Sequence, residues 1–302
     1  MDIEQRIKNL SVPCGKIDVV LDTDAYNEID DQFAIAYMLK SKYKLNVKAI
    51  CAAPFHNGRS GGPKDGMEKS YDEILRLLSM MKEEVDVFKG SEKYLEDEKT
   101  PVISDAAKMM AELSEKYSPE KPLYIVAIGA ITNVASALLL NPKMKDSVVV
   151  VWLGGHAHHY CDTIEFNMKQ DIAAARVVMQ SGVPFVQLPC EGVVGNFRIS
   201  EPELNFWFKG KNELATYLGE NTISEANSYA KGLAWTRTIW DVTAIAWLLN
   251  DDEQFMLSRI IPTKNPAYDG LYEADADGYP MAYVYHIKRD ALMIDLINKI
   301  TA

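Results

Sequence analysis

The chain has 302 residues, 48% hydrophobic and 25% charged, enough to bury a large core as one α/β domain or two. A formal net charge of −11 with no offsetting basic patch argues against nucleic-acid backbones and anionic membranes as partners. No apolar segment of signal-peptide or membrane-span length is present, and the four cysteines (Cys14, Cys51, Cys161, Cys190) lack CxxC spacing. A cytoplasmic protein without a disulfide framework is the expectation.

In chain order, Asp2 to Leu10 reads as a short polar helix. Ile17 to Leu21 is an apolar run suited to a strand buried on both faces. It delivers four aspartates in ten residues, Asp22, Asp24, Asp30 and Asp31, with Glu28 among them, and a helical run from Gln32 to Leu39 follows. In an open α/β sheet, residues just past a strand's carboxyl end line the ligand crevice. So much negative charge in one crevice requires a cation or bound protons, and hard cations such as Ca²⁺ take their oxygens from such clusters. The alternative is an acidic turn capping a helix. The buried-type strand before the cluster and the helix after it favour a metal site.

Leu45 to Ala52 is a second strand. The Gly- and Pro-rich stretch from Ala53 to Ser70 reads as a long loop above the strand ends. Within it, His56 and Asn57 either face a ligand or are a solvated histidine and a turn asparagine. Ser70 to Met81 is an amphipathic helix, Val85 to Lys89 a short strand, and Ser104 to Tyr117 a helix capped by Ser or Asp. Leu123 to Ile128 and Ser147 to Leu153 are buried-type strands, each ending in small residues that let a ligand approach the backbone. A helix through Leu140 follows the first. The loop after the second, HAHHYCDTIEFN, carries three histidines, which suit polar lining better than zinc. Lys169 to Gln180 is a helix, Phe185 to Leu188 a strand, and Glu201 to Asn250 mostly helical, including Ile223 to Leu249. Met281 to Ile287 and Asp290 to Ile300 close the chain as strand and helix. Alternating strands and helices imply a mainly parallel, Rossmann-like central sheet flanked by helices, plus a helical C-terminal part. With no repeat or composition break, residues 1–302 form one domain in this reading.

The oxygen donors that could converge are the four aspartates, the loop after Ile128, Glu165-Phe166-Asn167 and Asp241. On LDTD…IDDQFAIAY, AIGAITNVASAL, WLGG, EFNMKQDIAAA and WDVTAIA, in that order along most of the chain, the sequence resembles the inosine-uridine-preferring nucleoside hydrolase family. The resemblance implies a Ca²⁺-dependent hydrolase of the ribonucleoside N-glycosidic bond. It places calcium ligands at Asp24, Asp31, the main-chain carbonyl of Thr132, and Asp241, with Asp22 in support. Asp24 would also activate water. Asp30, Glu165 and Asn167 would hold ribose hydroxyls, and Asn57 is a looser match beside the sugar. A nucleoside substrate and a homodimer or homotetramer are implied as well.

Three departures from the family pattern bear on the site. Five residues, Ala25 to Ile29, separate Asp24 from Asp30 where three are usual, so the roles at both ends depend on this insert bulging outward. His159 stands six residues before Glu165 where some members have asparagine. Trp240 replaces a histidine that helps the base leave, as in the purine-specific branch, where an indole stacks on the base; the alternative is a tryptophan that simply packs in the core. The expectation is therefore a ribonucleoside hydrolase leaning to purines. The alternatives are a hydrolase of another N-riboside, with a modified or nicotinamide base, and a non-catalytic calcium-dependent nucleoside or sugar binder.

Overall fold

In the computed structural model, which describes residues 1–273 and 278–302, the apolar runs lie side by side in one eight-stranded sheet. In chain order the first half comprises α1 (Ile3–Asn9), β1 (Ile17–Thr23), α2 (Asp30–Leu39), β2 (Leu45–Ala52), α3 (Pro63–Met81), β3 (Val87–Lys89), α4 (Asp105–Ser114), β4 (Leu123–Ala127), α5 (Thr132–Leu140) and β5 (Val148–Leu153). There follow α6 (Phe166–Gln170), α7 (Ile172–Gln180), β6 (Phe185–Leu188), β7 (Arg198–Ser200), α8 (Glu201–Trp207), α9 (Glu213–Ala230), β8 (Thr236–Thr238), α10 (Val242–Leu248), β9 (Met256–Pro262), β10 (Pro280–Ile287) and α11 (Arg289–Thr301).

The strand order is β3-β2-β1-β4-β5-β6-β10-β9, parallel throughout except for β9, which runs antiparallel to β10. The order reverses between β1 and β4, so successive crossovers pack on opposite faces and a crevice opens there above the carboxyl ends. Alternation along each strand feeds two apolar layers. Val19 and Leu21 point into one with α2 and α10, and Val20 into the other with α4, α5 and α7. Every residue of β4, β5 and β6 is buried, and burying each valine of β5 contributes about 1.5–3 kcal/mol. All ten residues of α2 are buried too, which forces Asp30 and Asp31 at its start out of solvent.

Three boundaries differ from the sequence reading. The stretch taken as loop up to Ser70 is helical from Pro63, since proline suits the first helical turn. Gly66 of that helix lies against the Phe55 carbonyl, where a Cβ would sit 2.1 Å from the oxygen. The single helix expected from Lys169 to Gln180 is two, α6 and α7, broken at Asp171, whose carboxylate caps α7 by accepting from the Ala174 N–H. Ile223 to Leu249 is not continuous helix: α9 ends at Ala230, Gly232 takes a left-handed φ of +80°, and β8 intervenes before α10.

Candidate active site

Above the crevice between β1 and β4 lies a cavity of about 200 Å³, at the small end of ligand pockets. The crossover from β1 supplies Asp24, Asn27 and Glu28 to its lining, and the buried start of α2 adds Asp30 and Asp31. Ile128 enters from the end of β4 and Leu153 from the end of β5. The loop after β5 contributes His156, Glu165 and Asn167, while Glu191 and the pair Trp240-Asp241 come from the C-terminal half. Chain segments more than two hundred residues apart therefore meet at one point.

Asp30, Asp31 and Asp241 form the tightest group, each offering a carboxylate oxygen within 4.8 Å of the others. Their burial alone raises the carboxyl pKa values, and mutual repulsion adds to it. Asp31 is pushed up to about 7 by desolvation, against the hydrogen bond it accepts from Thr23 Oγ1. Asp30 and Asp241 are driven well above the usual carboxylate range by burial, then by Glu28 and Asp30 respectively. Asp24 lies outside that closest trio but shares its field: burial first, then Asp31 and Asp30, raise its carboxyl strongly. Its Oδ2 is buried without a hydrogen-bond partner among the described residues, which is costly unless a ligand satisfies it. Gly129 makes room for the other oxygen, since a Cβ there would lie 2.9 Å from Asp24 Oδ1.

Glu165 and Asn167 are fixed by the backbone around them. Glu165 caps α6, accepting from the N–H groups of Asn167 (2.8 Å), Met168 (2.9 Å) and Gly155 (2.9 Å). Asn167 Nδ2 donates to the carbonyls of Ile128 (3.2 Å) and Leu153 (3.0 Å), tying the ends of β4 and β5 together. Asp22 lies within β1 rather than in the cavity. Its Oδ1 accepts from Asn133 Nδ2 at 2.8 Å, and burial pushes its carboxyl up to about 7.

The cavity thus unites Asp24, Asp30, Asp31, Glu165, Asn167, Trp240 and Asp241, and its lining does not include Asp22, Asn57, Thr132 or His159. The Thr132 hydroxyl is engaged elsewhere, Oγ1 donating to Asp171 Oδ2 at 2.6 Å, whereas the group expected to act as a ligand is the main-chain carbonyl of the same residue; Ile128 of that segment lines the cavity. Asn57 stands one layer back, donating from Nδ2 to Asn27 Oδ1 at 2.6 Å. His159 is exposed, edge-on to Tyr160. The insert bulges only at Tyr26, which is exposed, and it still leaves Asp24 and Asp31 lining the same cavity. Ala25 and Ile29 are buried anchors, and Asn27 and Glu28 between them join the lining. Glu28 pairs with Arg237, which also meets Glu225 at 3.1 Å and lowers the Asp30 carboxyl by its positive charge. Asn27, Glu28, His156 and Glu191 were not assigned from sequence; the extra length of the acidic motif flagged the first two, and nothing local marks Glu191.

An acid-lined crevice at the switch point of a parallel sheet, with three carboxylates close enough to share a metal ion, defines the class as an α/β protein with its ligand crevice above the strand ends. The sequence model for inosine-uridine preferring nucleoside hydrolases matches residues 19–277, and the chain belongs to that family of enzymes, the N-glycosidases that hydrolyse ribonucleosides. A pyrimidine-specific ribonucleoside hydrolase, RihA, of Salmonella dublin is 26% identical over 263 residues, 78% of this chain and 80% of that one. RihA of Citrobacter koseri is 27% identical over 252 residues, 74% of this chain and 77% of that one. Among solved structures, the purine-preferring ribonucleoside hydrolase of Gardnerella vaginalis superposes with a TM-score of 0.75 at 18% identity, covering 94% of this chain and 98% of that one. A plant nucleoside hydrolase does so with 0.75 at 17% identity, over 96% and 100%. These structural likenesses establish the fold, including its parallel central sheet.

Proposed function

We propose that the chain is a calcium-dependent ribonucleoside hydrolase that splits the N-glycosidic bond to give ribose and free base, with a lean to purine nucleosides. The observation that carries the reading is the buried Asp30–Asp31–Asp241 group sharing a cavity with the unpartnered Oδ2 of Asp24. An all-oxygen donor set whose carboxyls are driven towards protonation fits a hard divalent cation. Asp24, Asp31 and Asp241 would hold it, together with the main-chain carbonyl of Thr132. A bound cation supplies charge neutralisation and makes a nearby water easier to deprotonate.

The chain's own side chains do the rest. Asp24 takes the proton of the attacking water at its free oxygen. Asp30, Glu165 and Asn167 orient the ribose hydroxyls, and Glu165 can do so because its backbone bonds fix its rotamer. As the bond to the base breaks, positive charge develops on the sugar ring, and the surrounding carboxylates favour it. Trp240, half-buried in the cavity wall, offers an indole face on which a purine can stack.

Pyrimidine nucleosides form the second reading, because the RihA relatives are described as pyrimidine-specific. A panel of purine and pyrimidine nucleosides, followed by reducing-sugar release with and without chelator, tests both. The proposal expects ribose release lost on chelation, restored by Ca²⁺ and faster from purines. Tight binding without product would overturn it in favour of a binder, and faster release from uridine and cytidine would overturn the purine lean. The same reading takes the enzyme as a cytoplasmic homodimer or homotetramer, which sedimentation tests. No helix of the described residues is long and apolar enough to cross a membrane.

A further inference from the structure

Among the described residues the cavity is lined by seven carboxylates and by no lysine or arginine. Most of them have a defined task. Asp24, Asp31 and Asp241 share the cation, Asp30 and Glu165 face the sugar, and Glu28 is neutralised by Arg237. Glu191 is the exception. It is half-buried in the cavity wall, and among the described residues it makes no ion pair and its carboxylate accepts no hydrogen bond. Gly195 places it beside the indole: a Cβ on Gly195 would lie 3.0 Å from Glu191 Oε2 and 3.4 Å from the Trp240 ring. A carboxylate without a protein partner among the described residues thus shares the wall at Gly195 with the outer edge of the indole proposed to receive the base. The main-chain N–H of Glu191 donates to His156 Nδ1 at 3.4 Å, which ties this segment to another residue of the lining.

An anionic group beside an aromatic ring is a receptor for a flat cation, through direct charge attraction and the negative face of the ring. We propose, resting on the hydrolase reading above, that the preferred substrates are ribosides whose base carries a fixed positive charge, such as an N-alkylated purine or a pyridinium ring, read by Trp240 and Glu191 together.

The electron count favours this class. When C1′–N breaks, the bonding pair moves to the base nitrogen. A neutral base then departs as an anion that must be protonated, and Glu191 repels that charge. A cationic base departs neutral and needs no proton donor, which suits a site with tryptophan at position 240. The positive charge passes to the ribosyl ring without leaving the carboxylate-lined cavity. Water then bonds to C1′ and its proton goes to Asp24.

The test compares kcat/KM for guanosine and 7-methylguanosine, which differ by one methyl group and one charge, at a pH where the methylated ring is cationic. Nicotinamide riboside serves as a second cation and 4-nitrophenyl riboside as a neutral substrate whose leaving group needs no protonation. The wild-type enzyme should prefer both cations to guanosine. In Glu191→Gln, the ratio of 7-methylguanosine to guanosine kcat/KM should fall about tenfold, the scale of one desolvated charge contact beside an aromatic face. An unchanged ratio, with 4-nitrophenyl riboside still cleaved, overturns the cation preference and leaves the hydrolase reading intact. No release from any of the four ribosides overturns both.

Discussion

The closest test of the Asp24 geometry is a single methyl group. In Gly129→Ala the new Cβ would lie 2.9 Å from Asp24 Oδ1, 3.0 Å from its Cγ and 3.2 Å from the Ala53 Cβ. All three contacts are too short, and of the three atoms only the carboxylate sits at the end of a rotatable side chain. The strain is therefore relieved mainly by turning Asp24 aside, by a few tenths of an ångström. The stability cost should fall at the low end of the overpacking range, about 1 kcal/mol. Function should suffer more. Misplacing a reacting group by about 1 Å can cost about 100-fold, so a shift of a few tenths should lower kcat/KM roughly tenfold. Ribose release and urea unfolding on the same preparation measure both terms. Gly58→Ala is the control, since nothing among the described residues lies within 4 Å of the added methyl. A Gly129→Ala enzyme with wild-type kcat/KM would refute the placement of Asp24 as the proton acceptor.

Thr132→Val should cost about 1 kcal/mol of unfolding free energy by removing its hydrogen bond to Asp171, while kcat stays near wild type because the substitution keeps the main-chain carbonyl. Chemical denaturation with parallel kinetics checks this, and a dead but stable variant would contradict it. Arg237→Met leaves Glu28 and Glu225 without their shared cation, at a cost of about 1–3 kcal/mol after allowing for the partial exposure of Glu28. Its melting temperature should drop, and Glu28→Gln in the same chain should recover part of the loss. His158 packs between Tyr272 and Tyr283, and burial, reinforced by Lys264 and Arg259, lowers its pKa to about 4. Between about pH 6.5 and 4 the unfolded chain binds a proton there that the folded chain does not, so this residue makes stability fall as pH falls through that window. The buried Asp22 carboxyl, raised to about 7, contributes with the opposite sign, so the His158 effect is read as the difference between wild type and His158→Gln melting curves. Parallel curves would contradict it.

The sheet was legible because its signal is local. Runs such as VVVVWL and LYIVAI have no polar face and can only be central strands, and small residues after them mark where the crevice opens. The order of acidic motif, EFN triplet and WD pair was equally legible, since each sits at an element boundary that periodicity reveals. The helix boundaries near Pro63, Asp171 and Gly232 were not. Pro63 can start a helix or sit in a loop, and only the close approach of Gly66 to Phe55 decides it. Within the site, the side-chain partner of Thr132 was not legible, because Asp171, which accepts from its hydroxyl, lies nearly forty residues on. Glu191 could not be found at all, because its role arises from Gly195 and Trp240 packing against it in three dimensions.

The central claim is that residues from opposite ends of the chain clasp one divalent ion, and a crystal grown with excess calcium tests it most directly. The account predicts anomalous density between Asp24, Asp31 and Asp241, with oxygen distances of about 2.3–2.6 Å. Density elsewhere, or an Asp241 carboxylate turned away from an ion-free crevice, would contradict it.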